Sequence, residues 1–356
     1  DGVFPDAFSY RLVIEACARG MPSMERAKHW LGHMRDIDGI QPKVEHYNVL
    51  IRACVEKADI SAAERWLGKM LVDGVDPTIK TYQNLLNACA KQGDVQQVER
   101  WKAVMEKRGI RMDDTTYATI FNTCVEAKDI KRAEHWIHAW AKAGLQPSLQ
   151  AYTKMIILHE GSFRRAEYWM REMQANRIRP NAVAFNSLID VCVSSGRMDR
   201  AEYWLDRMSS FGKGIKPNSV TFGTLIKGYS LTESFAGIDS ALDRLLDRKI
   251  KPSTIIFSQL MRACSLSTEK GTFEKAEEYV RKIVEEGVEY QGDVDMFCDL
   301  AELCVARNRL DRLEYLTGVM LRGGLVPTQQ ASRRIVRLLK RHAIKKKLMP
   351  EGYFFD

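Results

Sequence analysis

Residues 44–113 carry one 35-residue pattern twice, VEHYNVLIRACVEKADISAAERWLGKMLVDGVDPT followed by IKTYQNLLNACAKQGDVQQVERWKAVMEKRGIRMD. Overlaid, Tyr47 meets Tyr82, Cys54 meets Cys89, Glu64-Arg65-Trp66 meets Glu99-Arg100-Trp101, Met70 meets Met105 and Gly74 meets Gly109. A fixed period of this length commits a chain to a repeat architecture, in which each unit covers the apolar face of its neighbour.

With Tyr47 as the fourth position of a unit, the register extends both ways. Units fall at 7–43, 44–78, 79–113, 114–148, 149–181, 182–218, 219–253, 254–293 and 294–328. Residues 1–6 read as the remnant of an upstream repeat, and residues 329–341 as a partial repeat or capping helix. Residues 342–356 read as a basic and aromatic tail.

Each unit reads as two helices. Tyr47, Leu50, Ile51 and Cys54 are spaced i, i+3, i+4, i+7, one helical face. Turn signals such as Lys91-Gln92-Gly93-Asp94 follow. A second apolar face comes next, for example Ala201, Trp204, Leu205 and Met208, and the unit closes in Gly74-Val75-Asp76-Pro77 or a relative of it. Glycine suits a left-handed helix cap and proline stops the helix beyond it. Strand patterns are absent. The expectation is an all-α, right-handed α-solenoid with the first helix of each unit lining the concave side. The tryptophan column Trp30, Trp66, Trp101, Trp136, Trp169 and Trp204 lies on the apolar face of the second helices, so it reads as packing rather than as a stacking surface.

Hydrophobic residues make up 45% of the chain, enough for a packed core rather than disorder. No apolar run approaches a membrane span. Cys17, Cys54, Cys89, Cys124, Cys192, Cys264 and Cys304 each follow the opening aromatic of a unit at the same spacing. Cysteines on successive stacked helices are too far apart for disulfides or a shared zinc, so they read as small packing residues of a reducing compartment. The net charge of +8 is unevenly placed. Residues 333–347 hold eight basic residues and no acid, leaving 46 basic and 44 acidic residues in 1–332. The body is near neutral, and the basic character belongs to the C-terminal segment.

The chain resembles the pentatricopeptide repeat family over nearly its whole length. The resemblance rests on the 35-residue period, the openings His46-Tyr47-Asn48-Val49-Leu50-Ile51 and Phe185-Asn186-Ser187-Leu188-Ile189, the alanine at the twentieth position and the Gly-x-x-Pro ending. Membership implies single-stranded RNA read at one base per repeat, in a mitochondrion or plastid. This sequence itself carries no basic-then-apolar leader. In the family the fifth and last residues of a repeat read the base edge, because hydroxyls, amides and carboxylates offer different donor and acceptor sets. Carried over, Thr153 with Asn181 resembles an adenine reader and Asn186 with Asn218 a pyrimidine reader. Asn48 with Thr78 is a looser pyrimidine pair, and Ser258 with Asp293 would suit guanine. The pairs Arg11/Lys43, Gln83/Asp113, Ala118/Ser148, Gly223/Ser253 and Cys298/Thr328 depart from the family pattern.

The family sandwiches each base between aliphatic residues at the second position. Val183, Val220, Ile255 and Phe8 supply them here, whereas Glu45, Lys80, Thr115 and Gln150 do not. Phosphate contacts are expected from Arg19 and Lys91 and, along the C-terminal segment, from Arg333, Arg334, Arg337, Lys340, Arg341, Lys345, Lys346 and Lys347. RNA reading is therefore expected chiefly in residues 149–253.

No enzyme signature is present: neither H-x-E with C-x-x-C nor a phosphate-binding G-x-x-x-x-G-K-[ST] loop occurs. His159-Glu160 reads as a helix end. The expectation is a non-catalytic, cofactor-free and metal-free monomeric RNA-binding protein of organellar RNA metabolism, with proteins of an organellar ribonucleoprotein complex as possible partners. The alternative is a structural adaptor of an organellar ribosome or other large complex, gripping protein or structured RNA. A further alternative is a fragment whose enzyme domain lies elsewhere.

Overall fold

A computed structural model describes residues 5–19, 24–212, 214–267, 271–286, 296–322, 325 and 329–348. Every regular element among them is an α-helix, and they fall into two compact units divided between Leu158 and His159. The first unit holds α1 (Ala7–Arg19), α2 (Met24–Asp36), α3 (Val44–Glu56), α4 (Ile60–Val72), α5 (Ile79–Lys91), α6 (Val95–Lys107), α7 (Asp114–Glu126), α8 (Ile130–Lys142) and α9 (Leu149–Leu158). The second holds α10 (Phe163–Ala175), α11 (Ala182–Ser194), α12 (Met198–Ser210), α13 (Ser219–Leu231), α14 (Phe235–Asp247), α15 (Thr254–Leu266), α16 (Thr272–Glu286), α17 (Met296–Ala306), α18 (Leu310–Arg322) and α19 (Gln329–Leu348). Each unit is an all-α repeat solenoid.

The boundaries of these helices have local causes. Asp59, Asp94 and Asp129 accept the backbone N–H of Ala62, Gln97 and Arg132 at 2.8, 3.0 and 3.1 Å, starting α4, α6 and α8. At the other end of α4, Val75 N–H donates to the Met70 carbonyl and Gly74 N–H to Leu71, with Gly74 at φ 74°, a Schellman closure. The same bonds close α6 at Gly109 and α10 at Arg177. Arg177 adopts φ 60° without being glycine, a conformation that costs an L-residue about 1 kcal/mol.

Within each unit the odd-numbered helices pack row-wise on one another: α3 against α1 and α5 in the first, and α13 against α11 and α15 in the second. All of them but α9 and the final α19 also pack on the even helix that follows, as α3 does on α4 and α11 on α12. Alanines with no more than 1% exposure (Ala27, Ala63, Ala133, Ala166, Ala201) let these helices approach. The aromatic column fills the space between: Tyr82 meets Trp101 at 6.1 Å and Phe185 meets Trp204 at 6.2 Å between ring centroids. Trp66, Trp101, Trp136, Trp169 and Trp204 are buried and Trp30 is half-buried, so the column packs the repeats together. His159, just past α9, is buried against Trp169.

The free thiols are core atoms too. Burial pushes Cys89 up to about 11 and Cys124, Cys192, Cys264 and Cys304 up to about 12. Among the described residues no three His, Cys, Asp or Glu side chains come together as a metal site, and no helix is long and apolar enough to cross a membrane. The final helix runs through Leu348, past the half-repeat at Arg341 suggested by the sequence pattern.

Candidate nucleic-acid interface

The second, fifth and ninth residues of each odd helix share one face, because they are spaced i, i+3, i+7. That face is turned away from the even helices. It carries Val183, Asn186 and Asp190 on α11, Val220, Gly223 and Lys227 on α13, and Ile255, Ser258 and Arg262 on α15. Val183, Val220 and Ile255 are 59%, 54% and 46% exposed, and Phe8 on α1 is 59% exposed beneath the Arg11 guanidinium. Aliphatic side chains standing so far into water offer flat apolar contact to something that covers them. On α3, α5 and α7 the same position is polar, with Glu45, Lys80 and Thr115, as is Gln150 on α9.

The last residue of a repeat is the N-cap of the next odd helix, and this fixes which atoms it can show. Asn218 Oδ1 accepts from Thr221 N–H at 3.1 Å, so its amide nitrogen is the atom left to face outward. Asn186 lies beside it, its Nδ2 donating to Asn218 Oδ1 at 3.4 Å. The Thr221 hydroxyl donates to Asn186 Oδ1 at 2.6 Å. Backbone capping thus sets the orientation of both amides, and the pair presents N–H donors between exposed Val183 and Val220.

Asn181 caps α11 in the same way, accepting from Ala184 N–H at 2.9 Å, with its amide nitrogen free of that bond. Thr153, in the first unit, is buried on α9 and donates its hydroxyl to the Leu149 carbonyl at 2.9 Å. Thr78 caps α5, its hydroxyl 3.4 Å from that of Thr81. Asn48 is half-buried on α3, and its Oδ1 is buried with no hydrogen-bond partner. Ser258 donates its hydroxyl to the Asp299 carboxylate. The guanine partner expected for it, Asp293, lies outside the described residues.

Residues that sequence reasoning passed over complete this picture. Thr116 and Thr221, each the third residue of a repeat, are fully buried and tie the cap to the fifth residue of the preceding repeat, while Thr81, equally buried, bonds to its own cap, Thr78. Their signal in the sequence is a threonine recurring three residues after the cap position. In the first unit the tie is saturated. Gln83 Nε2 donates to both oxygens of Asp113 at 3.0 and 2.9 Å. Asp113 also accepts from the Thr116 N–H at 2.9 Å and hydroxyl at 2.7 Å. Partial burial pushes the Asp113 carboxyl up, but the bonds from Thr116 and Gln83 outweigh it and hold the group below its ordinary value.

Positive charge on this face is similarly engaged in the first unit. Arg19 pairs with Glu15 at 2.9 Å, and Glu15 also takes Arg52 at 2.6 Å. Lys154 donates to Asn122 at 2.7 Å. The Lys91 side chain lies outside the described residues, as do those of Arg341, Lys345, Lys346 and Lys347. On α19, Arg334 pairs with Glu302 at 2.6 Å. Arg333, Arg337 and Lys340 are exposed with no acid in ion-pair range among the described residues. Gln329, Gln330, Arg333, Arg334 and Arg337 line an open hollow of about 450 Å³. The tail residues 349–356, with Tyr353, Phe354 and Phe355, lie outside the described residues.

Three sequence profiles match the chain: "Pentacotripeptide-repeat region of PRORP" over residues 2–155, "Pentatricopeptide repeat domain" over 137–195 and "PPR repeat family" over 180–230. A chloroplastic pentatricopeptide repeat-containing protein of Arabidopsis thaliana is 28% identical over 123 residues, 34% of this chain and 16% of the relative. The chain therefore matches only a small part of that relative's length. Among solved structures, the pentatricopeptide repeat protein PPR10 in complex with an 18-nucleotide psaJ RNA element is similar at 16% identity and TM-score 0.44, over 90% of this chain and 57% of that one. Nuclear proteinaceous RNase P 2 of A. thaliana is similar at 17% identity and TM-score 0.41, over 49% and 42%.

Proposed function

From the premise that this chain is a pentatricopeptide repeat protein, we propose that it is a non-catalytic RNA-binding protein that holds single-stranded RNA along the exposed face of its odd helices. The observation that carries this reading is the Asn186/Asn218 amide pair, oriented by Thr221 and by the cap of α13 and flanked by exposed Val183 and Val220. Two apolar side chains can grip a base by its faces while the amides meet its edge. Asn181, whose amide nitrogen is free of the cap bond, extends the reading to an adenine beside that pyrimidine. Arg333, Arg337 and Lys340 would contact phosphates at the far end. The setting we propose is an organelle, plastid or mitochondrion, where the protein stabilises RNA, aids its processing or supports its translation; the chloroplastic relative supports this.

The test is selection from a random RNA pool on the purified chain at physiological salt. The expected result is a motif with adenine followed by a pyrimidine, lost in Thr153→Ala/Asn186→Ala. No enrichment, or binding that survives that pair and disappears without residues 333–347, would overturn sequence reading.

One observation favours the adaptor reading for the first unit. Its polar side chains are bonded to one another, Gln83 to Asp113 and Arg19 and Arg52 to Glu15, which leaves few donors for a base edge. Under that reading these repeats grip protein, and cross-linking in an organellar extract would trap protein rather than RNA on α3, α5 and α7.

A further inference from the structure

The repeat that begins at Ser219 lacks a reading side chain, since Gly223 occupies its fifth position. A side chain on a helix covers the surface over the turn before it, so residue 223 would lie across residue 219. Without one, a slot of about 140 Å³ opens. It is flanked by Val220 and Ile255, and Gly223, Ser219 and Ser253 lie deeper in it. Lys227 and Asp190, 3.4 Å apart, also line it. The Ser219 side chain is 94% buried by its 6% exposure, and its hydroxyl oxygen has no hydrogen-bond partner. The Ser253 hydroxyl, by contrast, already has a partner, accepting the Ile256 N–H at 3.4 Å as the cap of α15. An orphaned buried hydroxyl is a costly group to leave unmet, and here it borders an opening between two exposed aliphatic side chains.

We infer that this slot takes a purine base and that Ser219, the first residue of its repeat, supplies the hydrogen bond to the base edge. The volume lies below the roughly 300–1,000 Å³ of sites for drug-sized ligands and suits one planar group. The floor is lower than in the preceding repeat by the length of the missing side chain. A one-ring pyrimidine held between Val220 and Ile255 stops short of it, and a two-ring purine reaches it. A hydroxyl both donates and accepts, so adenine and guanine are equally served. The inference rests on the RNA reading above.

Two substitutions test it, and both place at this repeat what the preceding repeat already carries. Gly223→Asn copies Asn186, and Ser219→Ala copies Ala182. A β-carbon at Gly223 would stand 3.4 Å from Ile256 Cγ1, ordinary contact. A random-sequence RNA pool is selected on the full chain and on each variant. The wild-type motif is expected to continue adenine-pyrimidine with a purine, favoured about fivefold, the worth of one net hydrogen bond. Ser219→Ala erases that preference and Gly223→Asn turns it to pyrimidine, while the two preceding positions keep theirs. An adenine-pyrimidine motif followed by an indifferent or pyrimidine position, or a purine preference untouched by both substitutions, overturns the slot and leaves RNA reading standing. A pool that yields no motif overturns both.

Discussion

The indole nitrogen of Trp204 donates to the carboxylate of Glu167, 2.9 Å away on the preceding repeat, and the Arg200 guanidinium joins the same oxygen at 2.6 Å. Glu167 is 6% exposed, so this clasp places a charge inside the joint between two repeats and satisfies it from the second one. Arg312 repeats the geometry on Glu277 with two bonds, at 2.7 and 2.9 Å. Removing one partner of a buried pair strands the other. Glu167→Ala is therefore expected to destabilise the second unit by about 3 kcal/mol, with Glu167→Gln costing less because an amide oxygen still accepts from Trp204. Denaturant unfolding of the two variants measures the difference. Equal midpoints for both and the wild type would show that the clasp contributes nothing.

The corresponding joint in the first unit is incomplete. Gln97 stands where Arg200 stands, and Glu64 Oε1 and Trp101 Nε1 are buried without a hydrogen-bond partner. Gln97→Arg supplies a guanidinium to Glu64 as Arg200 does to Glu167. The expected gain is about 1 kcal/mol, the net worth of a charge-assisted bond at a half-buried site. The gain should vanish in a Glu64→Gln background, a double-mutant cycle that separates the pair from any effect of arginine alone.

Period and apolar spacing make the helix pairs legible, because a stack of hairpins is the one way to bury two stripes per unit. The caps are legible for the same reason: Asp59, Asp94 and Asp129 precede helices at a fixed offset. The site is less so. Whether a polar residue on the odd-helix face is available to a ligand depends on what the adjacent repeat brings to it. Gln83 is engaged by Asp113, thirty residues on, and Asn186 by Thr221, thirty-five residues on. Arg19 reads as a phosphate ligand from its position, yet Glu15 one helical turn earlier holds it, an i,i+4 pair that was open to reading. Gly223 is unreadable as a pair with Ser253, because a missing side chain acquires meaning only when the walls around it are known.

The buried thiols set an alkaline limit on stability. Their folded values lie near 11 for Cys89 and 12 for Cys124, Cys192, Cys264 and Cys304, above the ordinary value of 9.0, because burial penalises the thiolate. A group whose folded value is raised binds its proton more tightly when folded. Its contribution is whole below pH 9 and drains as pH rises toward 12, where the unfolded chain ionises first. Unfolding free energy should fall across that window, and Cys124→Ala should make the fall shallower. At neutral pH a thiol reagent should label half-buried Cys17 first and the buried cysteines only at the rate of local opening.

Two guanidinium groups of α19, Arg333 and Arg337, uncompensated among the described residues, separate contact with phosphate from simple capping of the last repeat. Arg333 and Arg337 stand one helical turn apart at the fifth and ninth positions of the odd-helix face and line its terminal hollow. If RNA runs along that face, each neutralises one phosphate and releases counterions. For single strands the slope of log K against log salt is about −0.7 per phosphate contact. Arg333→Gln/Arg337→Gln should therefore flatten the slope by about 1.4 and weaken all RNA sequences alike, leaving the selected motif unchanged. Neither side chain has an ion-pair partner among the described residues, so the double variant should unfold at the same denaturant concentration as the wild type. An unchanged slope with unchanged stability would remove α19 from the RNA path and leave it as the cover of α17.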